Sequence, residues 1–322
     1  MTKHHIVSAL NEALMQEMQE NPKIVVLGED VGVDGGVFRV TDGLIDKFGE
    51  NRLIDTPLAE AGIVGASVGL AISGLRPVAE IQFSGFTYQA FHHIKQHMAR
   101  FRQRTEGSIT IPMVLRAPCS GGIRALEHHS ESPEAFFVHC QGLKVVMPSN
   151  PYDAKGLMIS ALRSEDPVIF LEPKKIYRSF RQEVPSEPYE VEIGKAKVVK
   201  EGSDLTLISW GAMAKLCSDL IEEMPVDAEL IDLRTLSPLD MQTILTSVKK
   251  TGRALIVQEA TPTASMGSEI ASRIQEKALL SLEAPVKKVS GFDVPYPQFA
   301  LENYFLPNKK RVLNAINEVM EF

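Results

Sequence analysis

Several things are scarce in this 322-residue chain, and each scarcity removes a class of protein. Cysteine is one: Cys119, Cys140 and Cys217 are the only three, and none stands at a paired spacing. That excludes a disulfide-built scaffold and points to free thiols in a reducing compartment. Positive charge is another. The net charge of −7 favours solubility and argues against a large nucleic-acid footprint. Long apolar runs are missing too: the longest, Ala61 to Leu75, falls short of the roughly 20 residues that cross a bilayer. The amino terminus shows neither an Arg-rich transit segment nor a signal-peptide core, so the expected location is the cytoplasm. Finally, no Walker phosphate loop and no Gly-x-Gly-x-x-Gly after a strand occur. A phosphorylated cofactor would have to be held largely by another chain.

What is present is an ordinary globular composition, 44% apolar and 23% charged, in a chain long enough for two domains. Ile6, Ala9, Leu10, Ala13 and Leu14 recur at helical spacing. Apolar strands are predicted at Ile24–Leu27, Pro77–Phe83, Pro112–Ala117, Leu143–Met147 and Val168–Leu171, with helical patterns between them. This alternation predicts an α/β fold, a doubly wound, mostly parallel sheet with helices on both faces. Glu183–Pro188 has two prolines and no periodicity and reads as a linker. Strands restart at Leu205–Ser209, Glu229–Leu233 and Ala254–Val257, each expected to lead into a helix. The expected domains are therefore 1–184 and a smaller α/β unit, 185–322.

The run Asp55-Thr56-Pro57-Leu58-Ala59-Glu60-Ala61-Gly62 places a carboxylate early in a helix ahead of a glycine-rich apolar stretch. Thr56 is a suitable cap and Pro57 a suitable first residue. A capping box needs an acid at position 59, where alanine stands, so Glu60 points elsewhere. It is either a first-turn glutamate favoured by the helix dipole or a buried general acid. Gly65-Ala66-Ser67-Val68-Gly69 matches the nucleophile-elbow pattern of hydrolases but lacks the required preceding strand. Ala61, Gly65, Gly69 and Ser73 instead form a small-residue stripe suited to close packing, against a partner helix or against the chain's own sheet. His93 and His97 have the spacing of two metal ligands, but Ile94 stands where a zinc protease has glutamate, so a surface or interface cluster with His92 is expected. Gly121-Gly122-Ile123-Arg124 leads to Glu127-His128-His129, a loop able to present an imidazole, before a helix starts at Ser132-Pro133.

Six segments occur in order: Leu27–Gly32, Gly35–Phe38, Asp55–Glu60, Gly74–Pro77, His129–Glu134 and Asp232–Asp240. Together they resemble the beta subunit of the thiamine-diphosphate-dependent decarboxylating component of 2-oxo acid dehydrogenase complexes, over essentially the whole chain. The resemblance implies a pyrimidine-binding domain followed by a transketolase C-terminal-like domain. It also implies an alpha2beta2 heterotetramer with thiamine diphosphate at the alpha–beta interfaces. Mg2+ and the diphosphate would be held by the alpha subunit, and a lipoylated dihydrolipoyl acyltransferase core would accept the product. Glu60 would give its proton to the aminopyrimidine ring, and Leu58, Gln82 and Phe86 would surround that ring. Such an acid needs a buried interface, where desolvation keeps it protonated. His129 would serve reductive acylation of the lipoyl group, while Glu29 and Asp30 could join acidic chains linking paired sites. His129–Ala135 resembles branched-chain enzymes, whereas Tyr177–Pro185 resembles pyruvate dehydrogenases. Branched-chain substrates are therefore expected, with pyruvate the alternative. A non-catalytic assembly subunit is the competing reading, and the motifs around Glu60 and His129 argue against it.

Overall fold

A computed structural model describes all residues, Met1–Phe322. Its strands are β1 (Thr2–His4), β2 (Ile24–Gly28), β3 (Leu53–Asp55), β4 (Arg76–Glu80), β5 (Val114–Cys119), β6 (Lys144–Val146), β7 (Val168–Pro173) and β8 (Gln182–Val184) in the first half. The second half supplies β9 (Lys197–Lys200), β10 (Leu205–Ser209), β11 (Ala228–Asp232), β12 (Thr235–Ser237), β13 (Ala254–Val257) and β14 (Lys287–Val289). One sheet has the order β12-β6-β7-β5-β4-β2-β3 and is parallel apart from β12; the other runs β14-β13-β10-β11-β9 and is parallel apart from β9. No helix is long and apolar enough to cross a membrane.

The central strands are apolar on both faces because helices cover both. Successive residues feed opposite sides: Val26, Val78, Phe170, Leu207 and Leu255 join one apolar cluster, and Leu27, Ala79, Ile169, Ile208 and Ile256 the other. Each cluster runs through both halves of the chain, so the core does not stop at the domain boundary. The helix Ile6–Glu20 lies against the helix Pro151–Arg163, whose start is capped by Asn150 accepting from the Asp153 amide at 2.9 Å.

Several expectations change. Thr56 does not cap the helix, which spans Glu60–Ile72 with Ala59 at its cap position. The Thr56 amide still donates to Gly28 O at 3.0 Å, so the sheet edge holds it and the helix starts later. Ser67 donates back to Ile63 O at 2.8 Å inside that helix, which rules out the nucleophile elbow. Of the small-residue stripe, Gly65 faces His93 on the neighbouring helix Thr87–His93, while Gly69 and Ser73 are exposed. The Glu183–Pro188 stretch begins as strand: β8 pairs antiparallel with β1, and the buried Lys155 ammonium donates to Pro185 O and Ser186 O at 2.7 and 3.2 Å. The strand expected to reach Phe83 ends at Glu80. Its next residues leave the sheet for the candidate site.

Candidate active site

All of the candidate residues sit at the carboxyl ends of the parallel strands, where open α/β sheets form crevices. Glu29 and Asp30 follow β2, Glu60 comes five residues after β3, and Gln82, Phe83 and Phe86 follow β4. The loop to His129 leaves β5, and Lys174 follows β7. Under them a fully buried ion triad spans three adjacent strands. The Arg116 guanidinium on β5 donates to Glu80 on β4, and to both Glu172 oxygens on β7 at 2.7 and 2.9 Å; Tyr177 also donates to Glu172 at 2.6 Å. These contacts fix the registers of β4, β5 and β7 directly below the loops.

Glu60 is the first residue of its helix and only 7% exposed, whereas Leu58, two residues earlier, is 81% exposed. Glu29 is buried as well, and its carboxyl is pushed up to about 7, first by desolvation and then by the negative charges of Glu60 and Asp30. The three acids therefore form one cluster. Asp30 sits in the left-handed region, φ 58°, and its carboxylate accepts from Gln82 Nε2 at 3.0 Å, tying the loop after β2 to the loop after β4.

An aromatic group follows Gln82 in the chain. Phe83 packs edge-on against Phe86 at 6.0 Å between centroids and against the His129 ring at 4.2 Å, and Phe86 lies 5.3 Å from His129 and 5.5 Å from His128. Glu127–His129 forms a single 3-10 turn. His129 Nδ1 is buried with no hydrogen-bond partner in the chain, and the ring's pKa is lowered by burial first, then by the charges of His128 and Lys174. Lys174 Nζ is buried and unpartnered too, 5.8 Å over the Phe83 ring, and burial pulls its ammonium down to about 8. A neutral imidazole with one free nitrogen can accept or deliver a proton at a ligand.

The structure thus brings Phe86 together with His129 and places Glu60 in the acidic cluster that Gln82 contacts through Asp30. Leu58 stands apart, open to its surroundings. Phe83 and Lys174 were absent from the sequence-based candidates: Phe83 was read as the end of a strand, and a lone lysine carries no signal of burial. His92, His93 and His97 have rings 5.4–5.5 Å apart, with no grouping of three or more His, Cys, Asp or Glu in a metal-binding arrangement.

The acidic cluster and the aromatic group around His129 acquire context from known proteins. Residues 3–179 match the family "Transketolase, pyrimidine binding domain", and residues 194–312 match "Transketolase, C-terminal domain". The chain is 49% identical to "Pyruvate dehydrogenase E1 component subunit beta" of Staphylococcus epidermidis, over 100% of both chains. It is 50% identical to the protein of the same name from Acholeplasma laidlawii, over 98% of this chain and 97% of that relative. Among solved structures it resembles "Split gene transketolase, inactive beta4 tetramer", with a TM-score of 0.80 at 25% identity over 98% of each chain.

Proposed function

Because this chain belongs to the thiamine-diphosphate-dependent 2-oxo acid dehydrogenase beta subunits, built on the two transketolase domains, we propose that it forms the pyrimidine half of a decarboxylating site with an alpha chain. Residues 1–184 would carry that half, and residues 185–322 the second domain. The observation that carries this reading is the Glu60 carboxyl, buried next to Glu29 at the carboxyl end of the sheet two residues after the exposed Leu58. When bound, thiamine diphosphate supplies a thiazolium ring that accepts the electron pair left as carbon dioxide departs.

The chain's own residues supply the rest. Glu60 presents its buried carboxyl to the aminopyrimidine ring as the group that exchanges a proton with it. Leu58 and Phe86 offer an apolar edge and an aromatic face to that ring, and Gln82 orients the wall between them. His129 carries the proton needed by the departing lipoyl sulfur during acyl transfer to the acyltransferase core. Mg2+ and the diphosphate fall to the alpha chain in an alpha2beta2 assembly, since this chain has no diphosphate motif.

Pyruvate is the substrate favoured by the names of the relatives. The branched-chain reading draws on the His129–Ala135 segment alone and finds no support among them. The test is reconstitution with an alpha chain, thiamine diphosphate and Mg2+, assayed against pyruvate, 2-oxobutanoate and the three branched-chain oxo acids. Decarboxylation that requires all components and prefers pyruvate is expected. Turnover by this chain alone, or none with any 2-oxo acid in the complete mixture, contradicts the reading.

A further inference from the structure

We propose that Glu302, assisted by Glu259 and Tyr296, is a positioning residue for acyl transfer, holding from the second domain the loop that presents His129. The inference rests on the functional reading above. Residues 120–131 form a closed loop: the Ser120 amide donates to Glu131 O at 2.8 Å across its neck, and Ser84 Oγ donates to the same carbonyl at 3.2 Å. Inside it the His129 amide donates to Leu126 O at 3.1 Å. The stretch between the neck and that turn has no such internal support. Ser120, Gly122 and Arg124 all have positive φ, 69°, 88° and 59°, so their neighbouring amides form a concavity able to grip an anion.

Two buried carboxylates from the second half of the chain fill that role. Gly121 N donates to Glu259 Oε1. Gly122 N donates to Glu302 Oε1 at 2.9 Å, and Arg124 N donates to Glu302 Oε2 at 3.2 Å. Tyr296 donates its hydroxyl to Glu302 Oε1 at 2.8 Å, and Gln298 Nε2 reaches Glu127, two residues before His129, at 3.2 Å. The fit is close: a Cβ on Gly121 would stand 1.7 Å from the Tyr296 hydroxyl. Charge-assisted bonds to three amides pin the loop more firmly than a water-facing turn could be held. Acyl transfer would use the electron pair left on the substrate carbon by decarboxylation. That carbon would bond to one lipoyl sulfur as the S–S bond breaks, the other sulfur would take a proton, and the carbon would part from the cofactor as its hydroxyl gives up its proton to leave the thioester. The proton transfer to sulfur depends on the placement of His129.

The test uses the holoenzyme reconstituted with the alpha chain, thiamine diphosphate and Mg2+, and reads two rates: acylation of a lipoyl domain and 2-oxo acid oxidation by ferricyanide. In Glu302→Ala the acylation kcat should fall at least about tenfold, with KM for the lipoyl domain and the ferricyanide rate within about twofold of the parent. Glu302→Gln, which keeps one acceptor oxygen, should recover part of the loss. Equal loss of both rates, or loss of neither, overturns the inference. If Glu302→Ala does not assemble, Tyr296→Phe gives the same reading: a smaller fall in acylation alone supports positioning, and an unchanged ratio overturns it. Absence of ferricyanide-linked turnover in the parent enzyme would instead overturn the functional reading itself.

Discussion

At the residue scale, the acidic cluster is the feature that most needs an explanation. Burying Glu29 beside Glu60, with the exposed Asp30 next to it, disfavours its charged form, and a packed core without a use for these acids would not keep two carboxyls buried together. The sign of the resulting pH effect follows from linkage. The Glu29 carboxyl titrates near 7 when folded, against 4.5 for the ordinary group. Its contribution to stability is therefore fully present below about 4.5 and is lost as pH rises through about 7. Glu29→Gln should remove that loss. The difference in unfolding free energy between pH 5 and pH 8 should shrink by about 2–3 kcal/mol relative to the parent, read from denaturant unfolding at both pH values. An unchanged pH dependence would mean that Glu29 ionises freely in the folded protein.

At the scale of elements, the loops owe their placement to strand ends fixed from below. Arg116 is fully buried between two carboxylates on neighbouring strands, and such a triad has little net worth as a pair of ion pairs but a high cost when half of it is removed. Arg116→Met would leave Glu80 and Glu172 uncompensated. It should lower stability by about 3–5 kcal/mol, measured by denaturant unfolding, whereas a loss under 1 kcal/mol would show that water reaches the pair. Eight strands, β2, β4, β5, β6, β7, β10, β11 and β13, were legible in the sequence because their apolar runs are short and bounded by polar turns. The helix carrying Glu60 was legible as well, but its start was not, because the Thr56 amide serves the sheet before the helix begins. Thr235–Ser237 gave no strand signal: β12 is three residues long and crosses from the second half to pair with β6. Glu259 and Glu302 were invisible for the same reason, since nothing local tells that they meet amides more than 130 positions earlier.

At the scale of the whole molecule, the proposed function makes the chain one side of a site. Its acids and aromatic face stand at one end of the larger sheet, its second domain clasps the His129 loop, and Leu58 projects beside the buried carboxyl. The missing phosphate motif, legible from sequence alone, agrees with that division of labour. The most direct measurement of the central claim is exchange of the thiazolium C2 proton for deuterium in the holoenzyme reconstituted with the alpha chain, followed by quenched-flow NMR in the parent and in Glu60→Gln. If Glu60 supplies the proton that activates the cofactor, exchange should slow by at least about a hundredfold in the variant, with thiamine diphosphate still bound. Exchange at the parent rate in Glu60→Gln would contradict the account.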